Sequence, residues 1–138
     1  PMLHALSADA VREIAELGAA AREAHDRLLN KMVNLGHQKD DPDKAVTGEI
    51  DHFDTLDASL DNEPLRRLGD RVAALAPEAR HELRAVMLIG RGDYAANEWD
   101  AALTEAQSRP DGDDVARIID QARLHDYLMK GLYALRLS

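Results

Sequence analysis

The run "ADAVREIAELGAAAREAHDRLLNKMVNL", residues 8–35, limits the fold more than any other part of this chain. Ser7 can cap a helix there, Asp9 lies in its first turn, and no strong helix stop follows before Gly36. Along it, Val11, Ile14, Gly18, Ala21, His25, Leu28, Met32 and Leu35 recur at alternating steps of three and four. That spacing puts all eight on one narrow stripe of a helix, the geometry of a helix–helix seam. A chain that opens this way must bury the stripe against other helices, either its own or those of a second copy.

The remainder reads as helix as well. From His37 to Gly48, "HQKDDPDKAVTG" has turn residues and charge without periodicity, which predicts an acidic loop at about 37–48. "EIDHFDTLDASL" then spaces Ile50, Phe53, Leu56 and Leu60 for a short amphipathic helix. Asp61 or Asn62 can cap the next helix, with Pro64 in its first turn and Leu65, Leu68, Val72 and Leu75 as its apolar stripe. Pro77 opens another at once, with Leu83, Val86, Met87 and Ile89 leading to Gly90 as its stop. Trp99, Ala102, Leu103 and Ala106 mark one side of a further helix. Val115, Ile118, Ile119, Ala122, Met129, Leu132 and Tyr133 then predict a last helix from Asp113 or Asp114 to about Leu135, weakened at Gly131. No stretch alternates with the period of a strand. The expectation is an all-α single domain over residues 1–138, of five or six helices, with a long first helix and a helical hairpin around Gly90 to Asp93.

The hairpin segment "LIGRGDYAANEW" holds two patterns with chemical associations. Gly90-x-Gly92-x-x-Ala95 has the spacing of a dinucleotide-binding turn, but that turn needs a strand before it and a βαβ unit around it. Arg91-Gly92-Asp93 matches an adhesive triplet, which needs an exported chain. Both read better as a joint in which Gly90 ends one helix, Gly92 permits the change of direction, Asp93 accepts backbone donors of the next helix, Arg91 complements a helix dipole and Trp99 packs back across. These five residues are the expected structural turn. Trp99, Leu103, Leu83, Met87 and Ile118 are expected to share one core around it.

"LRAVMLIGRGDYAANEWDAALTEA", with "LAPEARHEL" before it and "LHDYLMKGLYAL" after, resembles the bacterial domain of unknown function family 3775. The Gly-Arg-Gly-Asp-aromatic turn, with Trp99 five residues beyond Tyr94, is the most specific part of the likeness. The resemblance covers about Leu60 to Leu135 and, more loosely, Leu6 to Arg22, and implies a small helical cytoplasmic protein without implying an activity. Where members of that family show a Gly-x-Pro break before the last helix, this chain reads "IIDQARLHDY".

Composition narrows the function. The formal charge is -9, and residues 37–63 contribute most of it, with nine acids against Lys39 and Lys44. Such a chain is ill suited to a phosphate backbone, so no nucleic-acid partner is expected. With no cysteine there is no disulfide or thiolate chemistry, and no charged start with an apolar run marks an exported or membrane-inserted chain; a cytoplasmic location is expected. His37, Asp40, Asp41, Asp43 and His52 offer hard donors but lack the pattern of a calcium loop, and no metal or cofactor is assigned. His25 inside the seam reads as a buried neutral histidine. Asp126 beside His125 and Glu82 beside His81 are neighbours in sequence, expected to point apart on a helix rather than pair. Pro1 is assigned no role.

No catalytic constellation stands out. The residues favour a non-enzymatic protein-interaction or self-association module, a homodimer with Val11, Ile14, Gly18, Ala21, His25 and Leu28 as candidate interface, or a module with another protein as partner. The alternatives are an enzyme, acting on a small molecule or through a metal, built from Arg91, Asp93, Trp99 and His125, and an acidic mimic of nucleic acid.

Overall fold

The computed structural model describes residues 3–39, 62–108 and 113–137. These form α1 (Ala8–Lys39), α2 (Glu63–Ala73), α3 (Pro77–Arg91), a 3-10 turn (Ala96–Glu98), α4 (Trp99–Gln107), α5 (Asp113–Ile119) and α6 (Leu124–Ala134). No strand occurs among the described residues, and the fold is all-α. The acidic stretch from Asp40 onward and the amphipathic helix expected over 49–60 lie outside them.

Local chemistry sets the helix starts as the sequence suggests. The Ser7 hydroxyl accepts the Ala10 N–H at 3.0 Å, opening α1. The Asn62 side-chain oxygen accepts the Leu65 N–H at 2.9 Å, opening α2, while its amide donates to the Ala21 carbonyl at 2.9 Å. One buried residue thus caps a helix and ties it to α1. Gly36 does not stop α1, which runs on to Lys39. Glycine permits a left-handed exit without imposing one, and inside a helix it costs only about 1 kcal/mol.

α3 is the central helix. Every residue from Glu82 to Ile89 is buried on it, so it is covered on all sides, as a helix with apolar residues all round must be. α6 packs along one side of it and α4 and α5 along others, while α1 lies across α6 and α2. The side chains of Ile14, Leu68, Leu83, Met87, Ile118, Leu124, Leu128 and Leu132 are fully enclosed, each worth about 1.5–3 kcal/mol over an exposed position.

The α3–α6 crossing is made by two glycines. A Cβ on Gly90 would fall 1.7 Å from the Tyr127 carbonyl oxygen, and one on Gly131 would fall 2.3 Å from the Val86 carbonyl oxygen. Each glycine faces the carbonyl of the residue four before the other, so the two backbones touch reciprocally. This corrects the reading of Gly90 as the helix stop: it is an interior residue of α3, and Gly92, at φ +92°, makes the left-handed exit. It also explains Gly131, whose weak helix propensity is the condition for the contact.

The expected last helix is two. α5 ends at Ile119 and α6 starts at Leu124, with the Leu124 N–H donating to the Gln121 carbonyl at 3.1 Å across the break. Ile118 is buried in α5, and Leu124, Leu128, Gly131 and Leu132 are buried in α6. On a straight helix Leu124 would sit about 120° away from Ile118, so the turn between them re-aims the second stripe into the same core. Tyr133, expected on the apolar side, is instead 80% exposed.

Candidate functional site

The hairpin turn is built from a complete helix exit. The Asp93 N–H donates to the Leu88 carbonyl and the Gly92 N–H to the Ile89 carbonyl, both at 3.0 Å, the paired bonds that close a helix through a left-handed residue. Arg91 Nε lies 3.3 Å from Asp93 Oδ2, and the Arg91 guanidinium stands 5.9 Å from the centre of the Tyr127 ring. Asp93 is therefore engaged by Arg91, and the role expected of it passes to Glu98, whose carboxylate accepts the Ala95 N–H at 2.7 Å. Trp99 is buried in the core with Leu83, Met87 and Ile118, and Leu103 packs half-buried against them.

From Val11 to His25 the seam of α1 is filled from within the chain. Val11, Ile14, Gly18, Ala21 and His25 are all buried, and Leu28 is half-buried. Gly18 lets α6 come close: a Cβ there would meet Leu124 Cβ at 3.3 Å. Their expected role as an interface between chains is corrected for the five positions from Val11 to His25, because the described structure encloses them within one chain. The Ala21 carbonyl is itself bonded to Asn62.

An open groove of about 420 Å³ lies where α1 passes the start of α6, lined by Ala19, Arg22, Glu23, Asp26, Ala122, Arg123, His125 and Asp126. Arg22 Nε sits 3.2 Å from both Asp26 carboxylate oxygens. His125 Nδ1 lies 3.3 Å from Asp126 Oδ1, so these neighbours do meet, against expectation. None of Arg91, Asp93 or Trp99 lines this groove, so the structure does not assemble the residues of the enzymatic reading around His125. Among the described residues, no group of three histidine or acidic side chains is placed to hold a metal ion.

Two buried charged positions carry more structure than the sequence reading assigned them. Asp114 is 1% exposed and lies 3.2 Å from Arg80 Nε, while Arg80 also donates to the Leu75 carbonyl at 2.6 Å. His81 Nε2 approaches the same carboxylate at 3.9 Å. This joins the start of α5 to the α2–α3 connection. Glu82, 5% exposed, accepts three successive backbone N–H groups from the segment before α1: His4 at 2.9 Å on Oε2, and Ala5 at 3.0 Å and Leu6 at 2.9 Å on Oε1. A signal was present, since Glu82 falls beside Ala79, Leu83 and Val86 on the buried side of α3. A carboxylate in an apolar stripe requires donors.

No helix among the described residues is long and apolar enough to cross a membrane. Residues 65–137 match the model of a family described as "Protein of unknown function (DUF3775)". No curated protein and no solved structure matches the chain.

Proposed function

The chain belongs to the DUF3775 family, and within that frame we propose that it is a non-enzymatic protein-interaction module that self-associates as a homodimer through the part of α1 beyond His25. The observation that carries this reading is the length of α1. At 32 residues it is about 48 Å long, whereas the next longest helix among the described residues, α3, has 15 residues and spans about 22 Å. Among the described side chains, the core uses α1 from Val11 to His25, and Leu28 beyond it is half-buried. The helix then runs on to Lys39, and in the sequence the three-four spacing continues through Leu28, Met32 and Leu35. A seam that continues in the sequence past the described core is suited to a second helix, and a two-fold pair is the commonest way to supply one.

Light scattering on the full chain at tens of micromolar tests the reading, with a dimer mass expected. Leu28→Glu places a charge on the extended seam and is expected to return the monomer with its helical signal intact. A monomer mass for the unmodified chain would end the proposal.

A further inference from the structure

We propose that Glu82 and the seat of Leu6 form a docking site for a short peptide bend, occupied in the free chain by its own residues 3–6. The contacts that hold this segment are of a kind a second peptide can supply. All three hydrogen bonds to Glu82 come from main-chain N–H groups of three consecutive residues. The chain bends at residues 4–6, which turns those donors to one side and makes a backbone nest for an anionic group. Here the anion is the protein's own carboxylate.

The side-chain contribution is small and specific. Leu6 is 5% exposed and belongs to the core, Leu3 packs half-buried against it, and His4 and Ala5 are exposed. Recognition therefore needs three successive free N–H groups and a leucine-sized apolar side chain on the third residue. The two residues before that one are free to vary.

The site also demands an occupant. When the segment leaves, the Glu82 carboxylate stands in an apolar stripe with three acceptor sites unfilled and a leucine-sized pit beside it, and both features favour replacement of the segment by one of the same kind. Tethering gives the chain's own segment an effective concentration in the millimolar range, so it excludes a free peptide until it is weakened. The ligand class is a peptide bend carrying the pattern of residues 3–6. This site lies apart from the extended seam of α1 and does not depend on the dimer.

Two measurements on the full chain test this. In amide hydrogen exchange, the Ala5 and Leu6 amides are expected to exchange at least about 100-fold faster than those of Val86 and Leu128, and with little dependence on urea. Equal rates with equal urea dependence would show that the segment opens only when the whole domain unfolds, and would overturn the proposal. In the second, a labelled peptide matching residues 1–8 is added to a full-length chain carrying Leu6→Asp, whose own segment is repelled by Glu82. Saturable binding at or below about 1 mM is expected, weakened at least about 10-fold when the chain also carries Glu82→Gln. A folded Leu6→Asp chain that fails to bind the peptide, or binds it equally well without Glu82, would overturn the site. If Leu6→Asp unfolds the chain, the exchange rates decide alone.

Discussion

Arg136 adopts φ +57°, the one non-glycine residue with positive φ in the described structure. It closes α6 as Gly92 closes α3: the Leu137 N–H donates to the Leu132 carbonyl at 2.9 Å and the Arg136 N–H to the Tyr133 carbonyl at 3.1 Å. A side chain in that conformation costs about 1–2 kcal/mol, part of which glycine would return as extra freedom of the unfolded chain. Arg136→Gly is therefore expected to stabilise the protein by about 0.5–1 kcal/mol, read as a higher urea midpoint with an unchanged slope. A second residue-scale expectation concerns Glu13. Its hydrogen bond from Arg71 and the charge of that guanidinium, 3.0 Å away, hold the Glu13 carboxyl below its usual value of 4.5. A depressed folded value means that the contribution is present above the unfolded value and is lost as pH falls through the folded one. NMR titration is expected to place Glu13 below 4.5 and to show it rising toward that value in Arg71→Ala. A Glu13 titration unmoved by the substitution would remove the pair from any account of acid sensitivity.

Between elements, one substitution type is expected to change sign with its neighbours. Gly90→Ala and Gly131→Ala each drive a methyl into a backbone carbonyl of the facing helix, at 1.7 and 2.3 Å. Neither carbonyl can move without parting α3 from α6, so each change is expected to cost more than about 3 kcal/mol. Gly69 also lies within a helix, but the nearest atom to a Cβ there is Ile119 Cδ1 at 3.7 Å, ordinary van der Waals contact. Gly69→Ala is expected to be neutral or to stabilise by up to about 1 kcal/mol through helix propensity alone. Thermal melts of the three variants side by side check the contrast, and three similar losses would show that the crossing is not set by glycine. The same interplay explains the break between α5 and α6. A continuous helix satisfies local propensity, but only the turn at 120–123 lets Ile118 and Leu124 enter one core.

For the molecule as a whole, the core is a single cluster running from Leu6 through α1, α2 and α3 to Leu135, and Trp99 is its largest side chain. Trp99 is 8% exposed beside the hairpin turn, so Trp99→Ala is expected to cost about 3–5 kcal/mol. Calorimetry on the variant checks this, and unchanged stability would detach the tryptophan from the core. Buried polar and charged residues beside this cluster act as fasteners between distant parts of the chain. Glu82 holds the segment before α1, Asp114 holds Arg80, and Asn62 holds the Ala21 carbonyl. Each joins residues that are 34 or more positions apart, so their loss would loosen the packing of elements rather than the elements themselves.

Among the described residues, the sequence by itself determined where most of the helices begin, because apolar periodicity and capping act over a few residues. Ser7, Asn62 and Pro77 mark starts that the structure keeps, and Trp99 with Leu83, Met87 and Ile118 enters one core as expected. Only the tertiary structure decided which glycine bends the chain and which lets two helices touch, since Gly90 and Gly92 sit in the same local context and differ in what lies opposite them. Whether the stripe of α1 would be covered from within was likewise open at the level of spacing. A three-four seam states that a helix must be buried without stating by what. Glu82 shows the same limit: the stripe signalled a buried carboxylate, but its three donors come from residues more than 75 positions earlier in the chain. Such contacts are set by how the helices pack, and packing is a property of the whole chain.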